Sequence, residues 1–208
     1  NILIKNNTAV EGAGGILLQE SNSEISNIEI IGNLSENWGG GITILQGNPR
    51  LHNVLCFDNI ATTIGGGVLV QDSDPILTNS TISRNTAGQL GGGIFLYFTN
   101  SLITNTIAWE NFPESINMAN AVPVITYSDI EGGWGGEGNI NANPLFTAPE
   151  NGDYTLQEAS PCIDAGTTDT DGDGADDITD YIGEAPDMGA VEFEFEYECS
   201  ALGDLSGD

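Results

Sequence analysis

The chain has 208 residues, of which 28 are glycine, 31 are acidic and 3 are basic, giving a formal charge of −28. So few cations leave nothing to neutralise phosphates, which excludes nucleic-acid binding and disfavours anionic membrane surfaces. The length fits one domain with a small appendage, the 39% of hydrophobic residues can fill a core, and no apolar run reaches the roughly 18 residues that insertion into a bilayer needs. Residues 1–146 carry 13 acidic and 3 basic side chains, whereas residues 147–208 carry 18 acidic and none basic. The second segment must therefore either repel itself into disorder or hold cations. The sequence opens abruptly at Asn1-Ile2-Leu3-Ile4 with no leader pattern and reads as a piece of something longer.

From the N-terminus onward the organising feature is a repeat. A glycine pair followed by an aliphatic residue recurs at Gly14-Gly15-Ile16, Gly40-Gly41-Ile42, Gly66-Gly67-Val68 and Gly92-Gly93-Ile94, at a constant interval of 26. Two asparagine columns share the interval: Asn7, Asn33, Asn59, Asn85 and Asn111, then Asn27, Asn53, Asn79 and Asn105. Apolar columns run with them, among them Ile25, Leu51, Leu77 and Ile103, and Ile30, Cys56, Ile82 and Ala108. Within each repeat, short apolar runs alternate with Gly, Asn, Ser and Thr, and Ile42 and Ile44 or Val68 and Val70 share a face at strand period. No apolar pattern of helical period is sustained. The expectation is an all-β solenoid: a parallel β-helix of about 26 residues per coil, with equivalent strands about 4.8 Å apart. Columns of Asn satisfy one another at inward bends, and paired Gly occupies bends where a side chain would collide.

Beyond Asn111 the register decays. Tyr127 follows Asn105 at an interval of 22, so Pro123-Val124-Ile125-Thr126-Tyr127 reads as a final, shortened coil, and Glu110 to Val122 as a loop or insertion. The expected division is a β-helix over 1–146, an acidic C-terminal cap over 147–199, and the start of a tail or a further module over 200–208.

The cap carries the sharpest chemical motif, Asp169-Thr170-Asp171-Gly172-Asp173-Gly174-Ala175-Asp176-Asp177-Ile178-Thr179-Asp180. Asp169, Asp171, Asp173, Asp177 and Asp180 fall at the carboxylate positions of a twelve-residue calcium loop, Gly174 at its tight turn, and Ala175 where a backbone carbonyl ligates. Asp180 stands where a longer Glu is usual. Hard oxygen donors in this number select calcium, which becomes the expected cofactor. Cys56 replaces an isoleucine in a buried column and is expected to be a free thiol, whereas Cys162 and Cys199 flank the acidic segment and can pair in an oxidising compartment.

Parallel β-helices often host polysaccharide lyases and hydrolases, whose chemistry needs catalytic groups that converge. Lys5 and Arg84 lie three coils apart, about 14 Å, and Arg50 elsewhere in the repeat, so the cations cannot converge on one sugar ring. Asp58 and Glu110 share a column about 9–10 Å apart with Arg84 between them, which suits a surface ladder better than an acid–base pair. His52 has no partners suited to a metal site or triad. Phe95, Tyr97, Phe98 and Trp109 are candidates for carbohydrate contact, Phe95 through an outward column with Leu17, Thr43 and Leu69. Thr8, Leu34, Ile60 and Thr86 form no threonine ladder, which excludes a flat ice-binding face.

The Gly-Gly-aliphatic and Asn columns resemble the polymorphic-outer-membrane-protein type of right-handed parallel β-helix repeat. The series Tyr127-Ser128-Asp129-Ile130-Glu131-Gly132-Gly133, Asn143-Pro144-Leu145-Phe146, Ser160-Pro161-Cys162-Ile163-Asp164-Ala165-Gly166 and Asp187-Met188-Gly189-Ala190-Val191-Glu192 is similar to the end of bacterial β-helix proteins of the choice-of-anchor group. The terminal Gly203-Asp204-Leu205-Ser206-Gly207-Asp208 resembles the first half of a dockerin-type calcium loop. These resemblances imply a secreted, multi-domain bacterial surface protein. The sequence thus points to a non-catalytic, extracellular structural or adhesive β-helix stabilised by calcium, with a polysaccharide or another cell-surface component as partner. A carbohydrate-binding or polysaccharide-degrading module is the alternative. An uncapped first coil would further allow end-to-end self-association into a filament.

Overall fold

The computed structural model describes residues 2–194. Three parallel sheets run up the sides of a coil that repeats about five times, with no α-helix among the described residues. The first sheet contains Ile2–Lys5, Glu24–Ile31 and Arg50–Phe57, and continues as the paired short strands Ile76–Thr78 with Thr81–Ser83, Leu102–Thr104 with Ile107–Trp109, and Val124–Thr126 with Asp129–Ile130. The second contains Thr8–Ala9, Leu34–Ser35, Ile60–Ala61 and Thr86–Ala87, and the third Ile16–Gln19, Ile42–Leu45, Val68–Gln71, Ile94–Tyr97 and Ile116–Ala119. Register is strict: Ile16 pairs with Ile42, Ile42 with Val68 and Val68 with Ile94. The column Ile30, Cys56, Ile82 and Ala108 is 0% exposed throughout, with Cys56 a free buried thiol.

The inward asparagine column is a continuous hydrogen-bonded ladder. The main-chain N–H and the Nδ2 of Asn33 both donate to Oδ1 of Asn59, at 2.9 and 3.0 Å, and Asn59 does the same to Asn85 at 3.0 Å for both bonds. Asn85 repeats it to Asn111, at 3.0 and 3.1 Å. Each Nδ2 also reaches back to a main-chain carbonyl of the preceding coil: Ile30 for Asn59, Cys56 for Asn85 and Ile82 for Asn111. One amide thereby joins three successive coils in the dry interior.

The glycine pairs are required by space. A Cβ on Gly41 would lie 2.6 Å from the carbonyl oxygen of Gly67, and one on Gly67 would lie 2.7 Å from that of Gly93. The positive φ falls just before the last three pairs, at Gly39, Gly65 and Gly91, which curl over the outward side chains Thr43, Leu69 and Phe95.

Two expectations change. The second asparagine column turns outward instead of inward: Asn53 donates through Nδ2 to Asn27 Oδ1 at 3.3 Å and Asn105 to Asn79 Oδ1 at 3.4 Å, and Asn27, Asn53, Asn79 and Asn105 adopt positive φ at the bend that divides the first sheet, a conformation Asn tolerates. The stretch from Glu110 to Val122 is no excursion either. Ile94 pairs with Ile116 and Leu102 with Val124, both at an interval of 22, while Thr86 still bridges Phe112 at 26. The coil is shortened between Phe112 and Ile116, where its neighbours carry the glycine turn.

The C-terminal segment is not the terminal cap that was expected. Residues 131–142 close that end: Trp134 packs on the interior cluster, Ile140 bridges Asp129, and Asn139 donates through Nδ2 to the Ile125 carbonyl. The chain then forms the antiparallel pair Phe146–Ala148 and Asp153–Leu156 and runs back along the side of the stack. The reason lies in the first sheet, whose outward face bears Ile31, Leu55, Phe57, Ile107 and Trp109 and so is apolar on both sides. Phe146, Tyr154, Leu156, Cys162 and Met188 cover that face, with the Tyr154 ring 4.8 Å from Phe57 and 4.9 Å from Phe146.

Replacing Asn85 by Ala would orphan the Asn59 N–H inside the stack and take one bond each from Asn59 Nδ2 and the Cys56 carbonyl, at about 1–3 kcal/mol for an unsatisfied buried group and about 1 kcal/mol for each further bond. Denaturant melts should show Asn85→Ala losing at least as much stability as Leu77→Ala, for which about 2–5 kcal/mol is expected. A loss below that of the leucine variant would remove the ladder from its central place.

Candidate metal centre

The lateral segment acts as a strap, and its anchor is Asn105. The Asn105 side chain donates through Nδ2 to the Thr167 carbonyl and accepts at Oδ1 from the Thr167 N–H, both at 2.8 Å, while its main-chain carbonyl accepts from Gly189 at 2.9 Å. Thr104 Oγ1 donates to the Thr170 carbonyl at 3.1 Å, and Thr81 Oγ1 accepts from the Ala190 N–H at 3.0 Å. These bonds hold both limbs of the acidic loop against the first sheet.

On that loop, carboxylate oxygens of Asp169, Asp171 and Asp177 lie within 4.8 Å of one another. Gly172 and Gly174, at φ 80° and 88°, fold the chain tightly enough for their N–H groups to donate to the two oxygens of Asp169, at 2.7 and 2.9 Å. Thr170 donates to Asp177 Oδ2 from its hydroxyl at 2.6 Å and its N–H at 3.0 Å. Those bonds hold the exposed Asp177 carboxyl below the ordinary range, with a smaller contribution from Arg50. Three mutually close carboxylates are a hard, anionic donor set that fits calcium, and Asp169, Asp171 and Asp177 are the residues that would hold it.

The other two expected carboxylates, Asp173 and Asp180, stand apart from this trio. Asp173 turns Oδ1 back to accept from the Ala175 N–H at 2.8 Å. Asp180 lines a hollow between strap and sheet together with His52, Asn53, Asn79 and Glu192. The chain diverges after Ile178 to follow the sheet, so Asp180 does not complete the set as the last residue of a closed twelve-residue loop would. Cys162 is buried and its thiol donates to Asp129 Oδ2 at 3.4 Å; the pairing expected with Cys199 lies outside the described residues.

The aromatic candidates separate. Phe95 is 6% exposed under the Gly91 turn and offers no ring to solvent, and Trp109 is partly buried against the cluster beneath the strap. Tyr97 and Phe98 do stand together, edge to face at 4.4 Å, with Phe98 51% exposed. Asp58 accepts from Arg84 Nε at 2.9 Å, in keeping with a surface ladder. His52 is half-buried, its Nδ1 is 2.9 Å from Thr78 Oγ1, and burial lowers its pKa against a weaker opposing effect of Glu24.

A family model described as the right-handed β-helix region matches residues 1–131. The chain belongs to this right-handed β-helix family. No curated protein and no solved structure matches it. The matched residues end at the closing turn, so the strap of this β-helix protein and its carboxylate trio lie beyond the family's repeat. Sequence reasoning missed Asn105 as the docking residue and the strap's lateral course. The continuous apolar run Val54-Leu55-Cys56-Phe57, at odds with a sheet wet on one face, was the available signal.

Asn105→Gly keeps the positive φ and removes both side-chain bonds to Thr167. Limited proteolysis with a broad-specificity protease should then cut within residues 166–190 at least about tenfold faster, for a loss of about 1.4 kcal/mol or more. The coils should remain folded by circular dichroism; unchanged cleavage would mean that Asn105 does not anchor the strap.

Proposed function

We propose that this β-helix is a non-catalytic, extracellular structural or adhesive module of a secreted bacterial surface protein, and that calcium bound on the strap stabilises it. The observation that carries this reading is the convergence of Asp169, Asp171 and Asp177 on a loop bonded at Thr104 and Asn105 to the coils. A cation there would relieve the repulsion among three carboxylates and draw together the two limbs of the strap. The strong acidity of residues 147–208 supports an environment in which calcium is plentiful, as outside the cell. The long, regular lateral faces suit a spacer or an adhesive surface. The resemblance to bacterial surface proteins of the choice-of-anchor group points the same way.

Calcium should raise the melting temperature by binding the folded loop in preference to the unfolded one, worth about 2.7 kcal/mol at a hundredfold excess over Kd. Asp171→Ala should abolish most of that gain while the coils stay folded, and chelation should make residues 166–190 protease-sensitive first. Calorimetric titration showing no calcium binding, together with melts indifferent to chelator, would overturn the reading.

A second reading, carbohydrate recognition, is favoured by the solvent-facing Tyr97–Phe98 pair, since exposed rings stack on sugar faces. A polysaccharide panel assayed for binding and for cleavage separates the two. Binding lost in Tyr97→Ala would favour recognition, and cleavage would overturn the non-catalytic assignment.

A further inference from the structure

The end of the strap meets the last coil at a junction that the calcium reading does not use. Asp129, on the final strand of the first sheet, is 0% exposed and links three parts of the chain. Its Oδ1 accepts from the Ala142 N–H in the closing turn at 3.1 Å, and its Oδ2 from the Cys162 thiol on the strap at 3.4 Å. The carbonyl of Cys162 accepts in turn from the Met188 N–H on the returning limb at 2.9 Å. Next to Met188, Asp187 is 1% exposed, and its two oxygens accept from the N–H groups of Asp164 at 2.8 Å and Phe193 at 2.6 Å. Glu192 accepts from the Asp187 N–H at Oε1 and has the Ile182 N–H beside it, while its Oε2 is sealed from solvent and makes no hydrogen bond of good geometry.

The charged surroundings are one-sided. Asp129 is faced by the Cys162 thiol from the strap and by Glu131 from the closing turn; Cys162 by Asp129 and Asp187; Asp187 by Asp164; and Glu192 by Asp187 and Asp164, with Asp180 and His52, whose burial favours its neutral form, across the hollow they share. No lysine or arginine is among these facing groups. A buried carboxylate without a cation is costly in its charged form, and protonation removes that cost.

We infer that Asp129, Asp187 and Glu192 form a proton-operated clasp, which holds residues 162–193 against the coils when the carboxyls carry protons and loosens as they ionise. Burial is the first cause that pushes all three carboxyls above their ordinary range, outweighing the backbone N–H groups that favour the charged form. The attached strap therefore binds more protons than the released one. Its hold is full below the ordinary carboxylate range and is lost as pH rises through the raised values. A fully ionised clasp would also add to the repulsion within a chain of charge −28.

The test is hydrogen exchange by mass spectrometry, corrected for intrinsic exchange rates, on the full chain in chelator throughout so that calcium plays no part. Protection of the strap amides around Met188, Gly189 and Ala190 should fall by about tenfold or more between about pH 5 and about pH 8. Amides of the inner coils, such as Ile42 and Ile94, should not follow. Glu192→Gln removes the charge at the sealed oxygen, and Asp129→Asn keeps an acceptor for Ala142; each should flatten the pH dependence and retain more strap protection at the alkaline end. Strap protection that is independent of pH or rises with it would overturn the clasp, as would an undiminished pH dependence in both variants. Should Asp129→Asn fail to fold, Glu192→Gln alone decides.

Discussion

The stack depends on keeping successive coils in register, and the asparagine ladder enforces this from within. Apolar columns alone would tolerate a slip of two residues along a strand, because side-chain direction recurs with that period. The Asn33–Asn59–Asn85–Asn111 ladder does not, because each amide oxygen must meet the N–H and Nδ2 of the neighbouring asparagine while its nitrogen reaches the carbonyl of the coil before. A slip would strand several buried polar groups away from solvent. The glycine pairs act as a second register mark, since adjacent coils approach backbone to backbone there and leave no room for the side chain that a slip would bring in.

Register in turn determines where function can be placed. A regular stack repeats its faces from coil to coil, so distinctive chemistry must come from outside the repeat. Here it comes from the strap, which lies where the outward face of the first sheet is too apolar to remain wet. Leu55, Phe57 and Ile107 give it a hydrophobic bed, and Asn105 and Thr104 give it direction. The same docking concentrates carboxylates in two places of opposite character. Asp169, Asp171 and Asp177 gather on an accessible loop, where a cation can reach them, whereas Asp129 and Asp187 are enclosed, where only a proton can neutralise them. Solvent access alone separates these two responses to the same surplus of charge.

What the sequence alone determined is whatever repeats. Columns at a constant interval reveal strand positions, the inward face, the ladder and the buried Cys56, because a solenoid sets each residue against its own equivalent and similarity along the chain becomes contact in space. The carboxylate cluster was legible for a similar reason: Asp169, Asp171 and Asp177 are close in sequence and are brought together by local turns. What only the tertiary structure decided is whatever occurs once. The lateral course of the strap, the packing of Trp109 beneath it, the closing role of Trp134, the departure of Asp180 and the meeting of Asp129 with Cys162 all arise from contacts between segments with no shared pattern. Asn105 marks the boundary. Its column showed a bend that favours asparagine, but only the arrival of Thr167 from 62 residues further on turned one of those bends into an anchor. Periodicity records contacts between equivalent residues, and a contact between unlike segments leaves no period to read.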